Sequence, residues 1–427
     1  MIDRLSRCKL LPKPRLANSR PLARRSWRRF LAVAGPGIVV MLADTDAGSI
    51  VTAAQSGAEW GFQLLLLQFI LVPILYIAQE LALRLGIVTR KGHAELIRDY
   101  FGRGCSWFSV AILLVTCVGA LLSELSGLAG VGLLMGVPAP VTMSLIVIAL
   151  IVMVYSGSYL TVERIAIAAG AFELVFVFVA WQANPELSAL TSGSVDIAWH
   201  EPKYLYLVAA NIGTAIMPWM LFYQQSSVVE KKLSPDDLPA ARLDTAFGAV
   251  VTQIVMASVL IATAATLGNT IQSGSLDSVQ QIAQAITPYL GRATGEFLFC
   301  LGLSGAAVVA TMVVTLTAAR AFSEVLGKRH LLKHEPHEAP WFYGFYTTVL
   351  IVGALIVSSG VNLVSLSVGV QVMNAFFLPI VLAFLYLLAR RLPNPYRLRG
   401  PYAVLVAILF GVTVIFGVYS GLSGLRG

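Results

Sequence analysis

Residues 35–61 read GPGIVVMLADTDAGSIVTAAQSGAEWG, an apolar run that is broken at Asp44-Thr45-Asp46-Ala47-Gly48-Ser49 and then resumes. A charge at the centre of a membrane helix costs about 2.5–3.5 kcal/mol on insertion scales, so an acidic break inside such a run needs a reason. The rest of the 427-residue chain supports a membrane setting. It is 57% hydrophobic and 12% charged, with mean hydropathy +0.79, whereas a soluble domain carries about 25% charged residues. Repeated apolar runs are each long enough to cross ~30 Å of hydrocarbon as a helix. They do not alternate, which excludes a barrel of ~10-residue strands. The fold class is therefore all-α and polytopic.

Eleven spans are expected, at 30–57, 62–87, 105–135, 139–157, 159–182, 203–229, 240–268, 294–326, 341–360, 362–390 and 400–422. With the N-terminus inside, the cytoplasmic loops and their flanks hold Arg84, Arg90, Lys91, Arg98 and Arg103, then Lys231, Lys232 and Arg242. Lys328, Arg329 and Lys333 follow, and then Arg390, Arg391, Arg397 and Arg399. The outer side keeps Lys203, Arg292 and Arg426. That asymmetry is the positive-inside rule. It predicts an N-terminus in the cytoplasm and a C-terminus outside the cytoplasmic membrane.

The net charge of +8 does not point to nucleic acid, because ten of the 30 basic residues lie before residue 30. The tail 1–29 reads as a disordered cytoplasmic segment that sets topology and touches anionic lipid. No signal-peptide core with a cleavage site is present, so the first span should be retained. Cys8, Cys105, Cys117 and Cys300 are scattered and support neither disulfides nor a zinc site.

Eleven spans divide as five, five and one: 30–182, 203–390 and 400–422. Spans 1 and 6 then correspond in two inverted halves, and both are interrupted. Span 6 reads NIGTAIMPWMLFYQQSS over 211–227, with Gly213 and Pro218 in mid-span. Matched interruptions in the two halves point to the binding site of a transporter. Backbone carbonyls freed at a break can face a buried ion.

The carboxylates singled out within spans are Asp44, Asp46, Glu80, Glu124 and Glu173. Asp46 leads, since Gly48 permits unusual backbone angles there and Thr45 and Ser49 add hard oxygen donors. Capping the second half of span 1, worth about 1 kcal/mol, is a role it can hold alongside ligation. Asp44, two residues earlier, is an accessory at most. Glu124 sits among small residues in LLSELSGLAGVG, suited to relaying a proton, steering the ion, or staying neutral and hydrogen-bonded. Glu80 is four residues from Arg84 and reads as an intrahelical pair. Glu173 has no partner recognisable in sequence. His93, His200, His330, His334 and His337 all fall in loops, and the last three form a loose cluster that reads as solvated.

These residues resemble the NRAMP divalent-metal transporters. Asp46-Ala47-Gly48-Ser49 is similar to that family's Asp-Pro-Gly-Asn, and the likeness continues through Gly57-Ala58-Glu59-Trp60-Gly61 and Leu85-Gly86-Ile87-Val88-Thr89. Met217-Pro218 resembles its Met-Pro-His-Asn. Gln371 in GVQVMNAFFLP matches a glutamine lining its site, and Glu124 resembles its span-3 glutamate. The resemblance covers residues ~30–390. It implies the amino-acid-transporter (LeuT-like) fold, with two inverted five-helix repeats, broken helices 1 and 6, and alternating access around an ion held between them. The implied ligands are Asp46, Ser49, Thr214, Ala215, Met217 and Gln371, with Asp44, Glu124, Trp219, Gln224 and Gln225 along the access path.

The departures bear on the cargo. Ser49 stands for Asn, Ala47 for Pro and Trp219 for the His after Met-Pro, while Gln224 or Gln225 matches the later His of that helix. Span 9, APWFYGFYTTVLIVGALIVSSG, lacks the family's basic pair. Those residues belong to its proton pathway, so the pattern is most similar to the NRAMP-related magnesium transporter branch. Mg²⁺ keeps several waters around one or two carboxylates, which suits one Asp, a hydroxyl, carbonyls and Gln371. A thioether favours softer metals, so Met217 argues the other way if it points inward. Two registers are open: aligning on Pro218 puts Met217 and Thr214 in the family's methionine and alanine places, and aligning on FYQQS puts Pro218 and Ala215 there.

The expected function is import of Mg²⁺, and also Mn²⁺, by a monomer without cofactor, catalysis or coupled protons. The potential alone gives a doubly charged ion about 4.6 kcal/mol per 100 mV. The alternative is a proton-coupled Mn²⁺/Fe²⁺ symporter. An amino-acid carrier on this fold would present half-helix N–H groups to a carboxylate, which Asp46 would repel. An intramembrane aspartyl protease needs an acid from each of two helices, and span 6 as read carries none.

Overall fold

The computed structural model describes residues 33, 35–156, 159–195, 197–267, 276–286, 291–328, 336–360 and 362–426. The basic tail, Cys8, His330 and His334 of the histidine cluster, and Arg329 and Lys333 lie outside the described residues. The elements run α1 (Pro36–Asp44), α2 (Ala47–Trp60), α3 (Leu65–Thr89), α4 (His93–Phe101), α5 (Arg103–Leu134) and α6 (Ala139–Ser156). Next come α7 (Tyr159–Gly170), a 3₁₀ turn (Ala171–Leu174), α8 (Val175–Ala183), α9 (Leu187–Gly193), α10 (Pro202–Ala215), α11 (Pro218–Glu230) and α12 (Leu238–Leu267). Then follow α13 (Val279–Ile286), α14 (Arg292–Val325), α15 (Pro340–Ser358), α16 (Leu363–Ala389) and α17 (Gly400–Gly424).

Among the described residues nine spans are long and apolar enough to cross a bilayer, counting α10 with α11 as one. The pair α1 and α2, bent by 49°, makes a tenth. Ala139–Tyr155, a shorter apolar helix, occupies the place expected for span 4. The expected boundaries agree with these elements to within a few residues, because long apolar runs leave helix as the only way to satisfy the backbone in lipid. The short helices α4, α9 and α13 lay outside the expected spans. His93, expected in a loop, opens α4 and is buried.

Prolines mark several starts: Pro36, Pro202, Pro218 and Pro340 each sit in a first turn, where the missing N–H would have had no partner. Both interruptions appear, though unequally. Span 1 bends at Thr45–Asp46, whereas α10 and α11 carry on along one span across Ile216–Met217. Span 6 is the centre of the molecule, with 94% of its apolar window buried, against 33% for α17. Helix α10 lies against α16 and α17, α2 against α12, and α5 against α14. Gly213 makes the first of these contacts possible: a Cβ there would fall 1.8 Å from the Gln371 carbonyl oxygen. Two backbones therefore meet where span 6 breaks.

Candidate metal site

The site grows from how each helix end is finished. Asp46 is the N-cap of α2, its Oδ1 accepting from Ser49 N at 2.6 Å. Its Oδ2 is buried and completes no hydrogen bond. The cap thus uses one carboxylate oxygen and leaves the other open. Glu124, from the middle of α5, accepts the next orphan donor, Ala47 N, at 2.9 Å through Oε2. Ser49 Oγ and Glu124 Oε1 likewise complete no hydrogen bond, although both groups lie within interacting range of the Asp46 carboxyl. Asp44 ends α1 with Oδ1 buried and unpaired. Glu173, which had no recognisable partner, is fully buried on the 3₁₀ turn, with neither carboxylate oxygen hydrogen-bonded.

Gln371 comes to the same place from α16. A Cβ on Gly48 would meet Gln371 Nε2 at 2.7 Å and Ser123 Oγ at 2.9 Å. Gln371 Oε1 accepts from Asn374 Nδ2 at 2.9 Å, while Gln371 Nε2 and Asn374 Oδ1 have no partner. Rotating both amides together keeps their bond and turns a carbonyl oxygen to the break. Ser123 Oγ and Ser367 Oγ, 2.6 Å apart, tie α5 to α16 beside it. Buried polar atoms left open together are what an ion and its waters would satisfy.

Span 6 supplies a helix end. The last carbonyls of α10 have no intrahelical partners, and Thr214 and Ala215 are the last two residues there. The Thr214 hydroxyl is already used, donating to Asn211 O at 2.7 Å, so its carbonyl is what it can offer. Met217 caps α11. Its sulfur accepts from the Trp219 indole N–H at 3.3 Å, and both residues are fully buried. Gln224 reaches Thr245 Oγ1 at 3.2 Å. Gln225 is drawn away from the break altogether, bonded to His93 Nδ1 and to Lys91 O, both at 2.8 Å. No three His, Cys, Asp or Glu side chains among the described residues form a metal cage.

A family profile, natural resistance-associated macrophage protein-like (Nramp), matches residues 37–423. The chain belongs to the Nramp family. It is 24% identical over 314 residues to the divalent metal cation transporter MntH of Nostoc, covering 69% of this chain and 70% of that one. Its fold is similar to that of the manganese transporter of Eremococcus coleocola bound to an aromatic bis-isothiourea compound. The TM-score is 0.76 at 18% identity, over 95% of this chain and 89% of that one. The likeness extends to the nucleobase-cation-symport transporter Mhp1, at TM-score 0.55 and 14% identity over 92% and 90% of the two chains. The chain therefore has the LeuT-like transporter fold.

The two ends of this Nramp-family chain differ. Along α2 and α10, away from the basic loops, Asn211 bonds Ser56 Oγ at 2.8 Å and accepts from Gln68 at 2.5 Å. Beyond that polar layer lies a cavity of about 440 Å³ lined by Gln55, Glu59, Lys203 and Tyr206 among others. The opposite end is closed by buried charge. Asp244 accepts from Gly37 N at 2.7 Å and Gly35 N at 3.3 Å, capping α1. Lys231 meets Glu163 at 2.8 Å, Arg320 pairs with Glu230, and Glu80 takes both Arg84 and Arg242. The Glu80–Arg84 pair was expected. Asp244, Glu163, Glu230, Glu324 and Arg320 were not singled out in sequence, since they lie near apolar span ends and find partners on other helices.

His93 belongs to this closed end, packed edge-on to the Phe222 ring at 4.6 Å. Burial pushes its imidazole down to about 4, with the Gln225 bond acting the other way. The unfolded chain, titrating near 6.5, takes up the proton first as pH falls. His93 thus adds stability above about pH 6.5, and that stability is lost as pH drops toward 4, by at most ~1.4 kcal/mol per pH unit. Melting temperature in detergent is expected to fall between pH 7.5 and 5, and His93→Gln should flatten that fall; an unchanged slope would place the titration elsewhere.

Proposed function

We propose that this chain carries divalent metal ions across the cytoplasmic membrane by alternating access, with partly hydrated Mg²⁺ as the preferred cargo and no coupled proton. The carrying observation is at the apposed breaks. Asp46 has one carboxylate oxygen open among Ser49 and Gln371, while the Met217 sulfur accepts the Trp219 indole N–H and the Met220 sulfur accepts the Met217 N–H. Hard oxygens without a soft donor suit Mg²⁺, which keeps several waters and takes one or two carboxylates. The ligand set is then Asp46, Ser49, the Thr214 and Ala215 carbonyls, and Gln371, with the Met217 sulfur engaged by Trp219. Trp219 in place of the family's His, and a span 9 without arginine or lysine, support the magnesium branch and argue against a proton path.

The same reading takes 30–182 and 203–390 as inverted repeats, 400–422 as an added span and 1–29 as a cytoplasmic tail. The positive-inside pattern puts the N-terminus inside and the C-terminus outside. On that orientation the 440 Å³ cavity is an outer vestibule and the ion-paired end is the closed inner side. Membership of the Nramp family and the likeness to a manganese transporter favour a second reading, a proton-coupled Mn²⁺/Fe²⁺ symporter, with Glu124 beside Asp46 as the proton carrier.

Reconstitution in vesicles separates the two. With an inside-negative potential, Mg²⁺ and Mn²⁺ should both enter, Mg²⁺ at physiological concentrations, and a lumenal pH dye should stay constant. Stoichiometric acidification would establish the symporter instead, and Mn²⁺ preferred over Mg²⁺ by more than about tenfold (~1.4 kcal/mol) would overturn the magnesium preference.

A further inference from the structure

We propose that the pocket between the ends of α16 and α17 is a site for the anionic headgroup of a membrane phospholipid, whose acyl chain lies along α17. The pocket is a cavity of about 260 Å³ in the segment that turns from one span into the next, lined by Arg390, Asn394, Arg397, Arg399, Gly400 and Val404 among others. Three arginines line one concavity and no Asp or Glu lines it, so its charge suits a phosphate group. Charge placed only to set topology would be as well served by arginines spread over the loop; these share one hollow.

The pocket is also preorganised. The Arg390 guanidinium lies over the Tyr386 ring, 5.9 Å from its centroid. The Tyr386 hydroxyl donates to Ala403 O at 3.3 Å, fastening α16 to α17 where the arginines meet. The second observation is an apolar track that begins at the pocket itself. Val404 lines the cavity and is 59% exposed; Ile408, Val412 and Ile415 follow at 56%, 61% and 71%. Steps of four, four and three residues place them on one face, a track of about 16 Å. Basic pockets between spans bind acidic lipid headgroups by this combination. A soluble anion would use the arginines and leave the track idle, so charge and track together favour a phospholipid.

The test uses the full chain purified in detergent, probed by native mass spectrometry with phosphatidylglycerol and with phosphatidylcholine. One phosphatidylglycerol should be retained through delipidation at least tenfold more than phosphatidylcholine, and Arg390→Gln/Arg397→Gln/Arg399→Gln should abolish that preference. Val404→Trp, which fills the cavity mouth and keeps every charge, should displace the lipid as well and guards against misfolding of the triple variant. Equal retention of the two lipids, or full retention by both variants, overturns the proposal. Complete displacement by millimolar inorganic phosphate also overturns it, since the ligand would then be a free anion.

Discussion

Asp46→Ala is expected to abolish divalent-ion uptake in proteoliposomes, by more than 100-fold, while the chain still folds. The two halves of that expectation come from the two oxygens of one carboxylate. Oδ1 caps α2 through Ser49 N, and losing such a cap costs about 1 kcal/mol. Oδ2 is buried without a hydrogen bond and is the oxygen proposed to take the ion. One charge 4 Å from another is worth about 4 kcal/mol at an effective dielectric of 20, and a divalent ion doubles it. Partial dehydration of the ion offsets some of this, and a loss of about 3 kcal/mol is already more than 100-fold. Asp46→Asn sharpens the test, because the amide oxygen still caps but carries no charge. Its melting temperature should match the parent while uptake is lost. Uptake by Asp46→Ala at the parental rate would remove Asp46 from the site.

Glu230→Ala should give the largest loss of stability. Arg320 and Glu230 pair across α14 and α11 with side chains 2% and 4% exposed. The Arg320 Nε and Nη1 already complete no hydrogen bond, and the guanidinium leans on the Tyr223 ring at 5.7 Å. Removing the acid leaves a buried cation without its counter-charge, which costs about 3–5 kcal/mol. Replacing the pair together, Glu230→Leu with Arg320→Met, should recover most of that loss, since an apolar pair carries no desolvation penalty. Thermal melting of the single and double variants reads this directly. Equal melting of the two would show that the charges are not coupled. The pair joins the second half of span 6 to span 8.

The sequence made the membrane architecture legible because the bilayer allows few answers. Apolar runs of span length must be helices, and the interruptions at Asp44–Ser49 and Thr214–Trp219 stood out as polar or proline-bearing breaks within them. Asp46 was legible for the same reason, being an acid where an acid is costly. Gln371 entered through family resemblance; only packing puts its amide against Gly48 and its carbonyl oxygen against Gly213. Gln225 matched a family position equally well, yet the chain uses it to hold His93 and the Lys91 carbonyl.

What the sequence by itself determined is thus local: which segments cross, where they break, and which carboxylate sits at the break. Hydrophobicity and backbone satisfaction act residue by residue, so one chain read in order suffices for them. Only the tertiary structure decided which partners each polar group finds. It bonded the Met217 sulfur to the Trp219 indole, brought Glu124 onto the Ala47 N–H, and closed one end with Arg320–Glu230 and Lys231–Glu163. Those pairings join helices far apart in the chain, and their energy depends on distance and burial, which no linear spacing encodes.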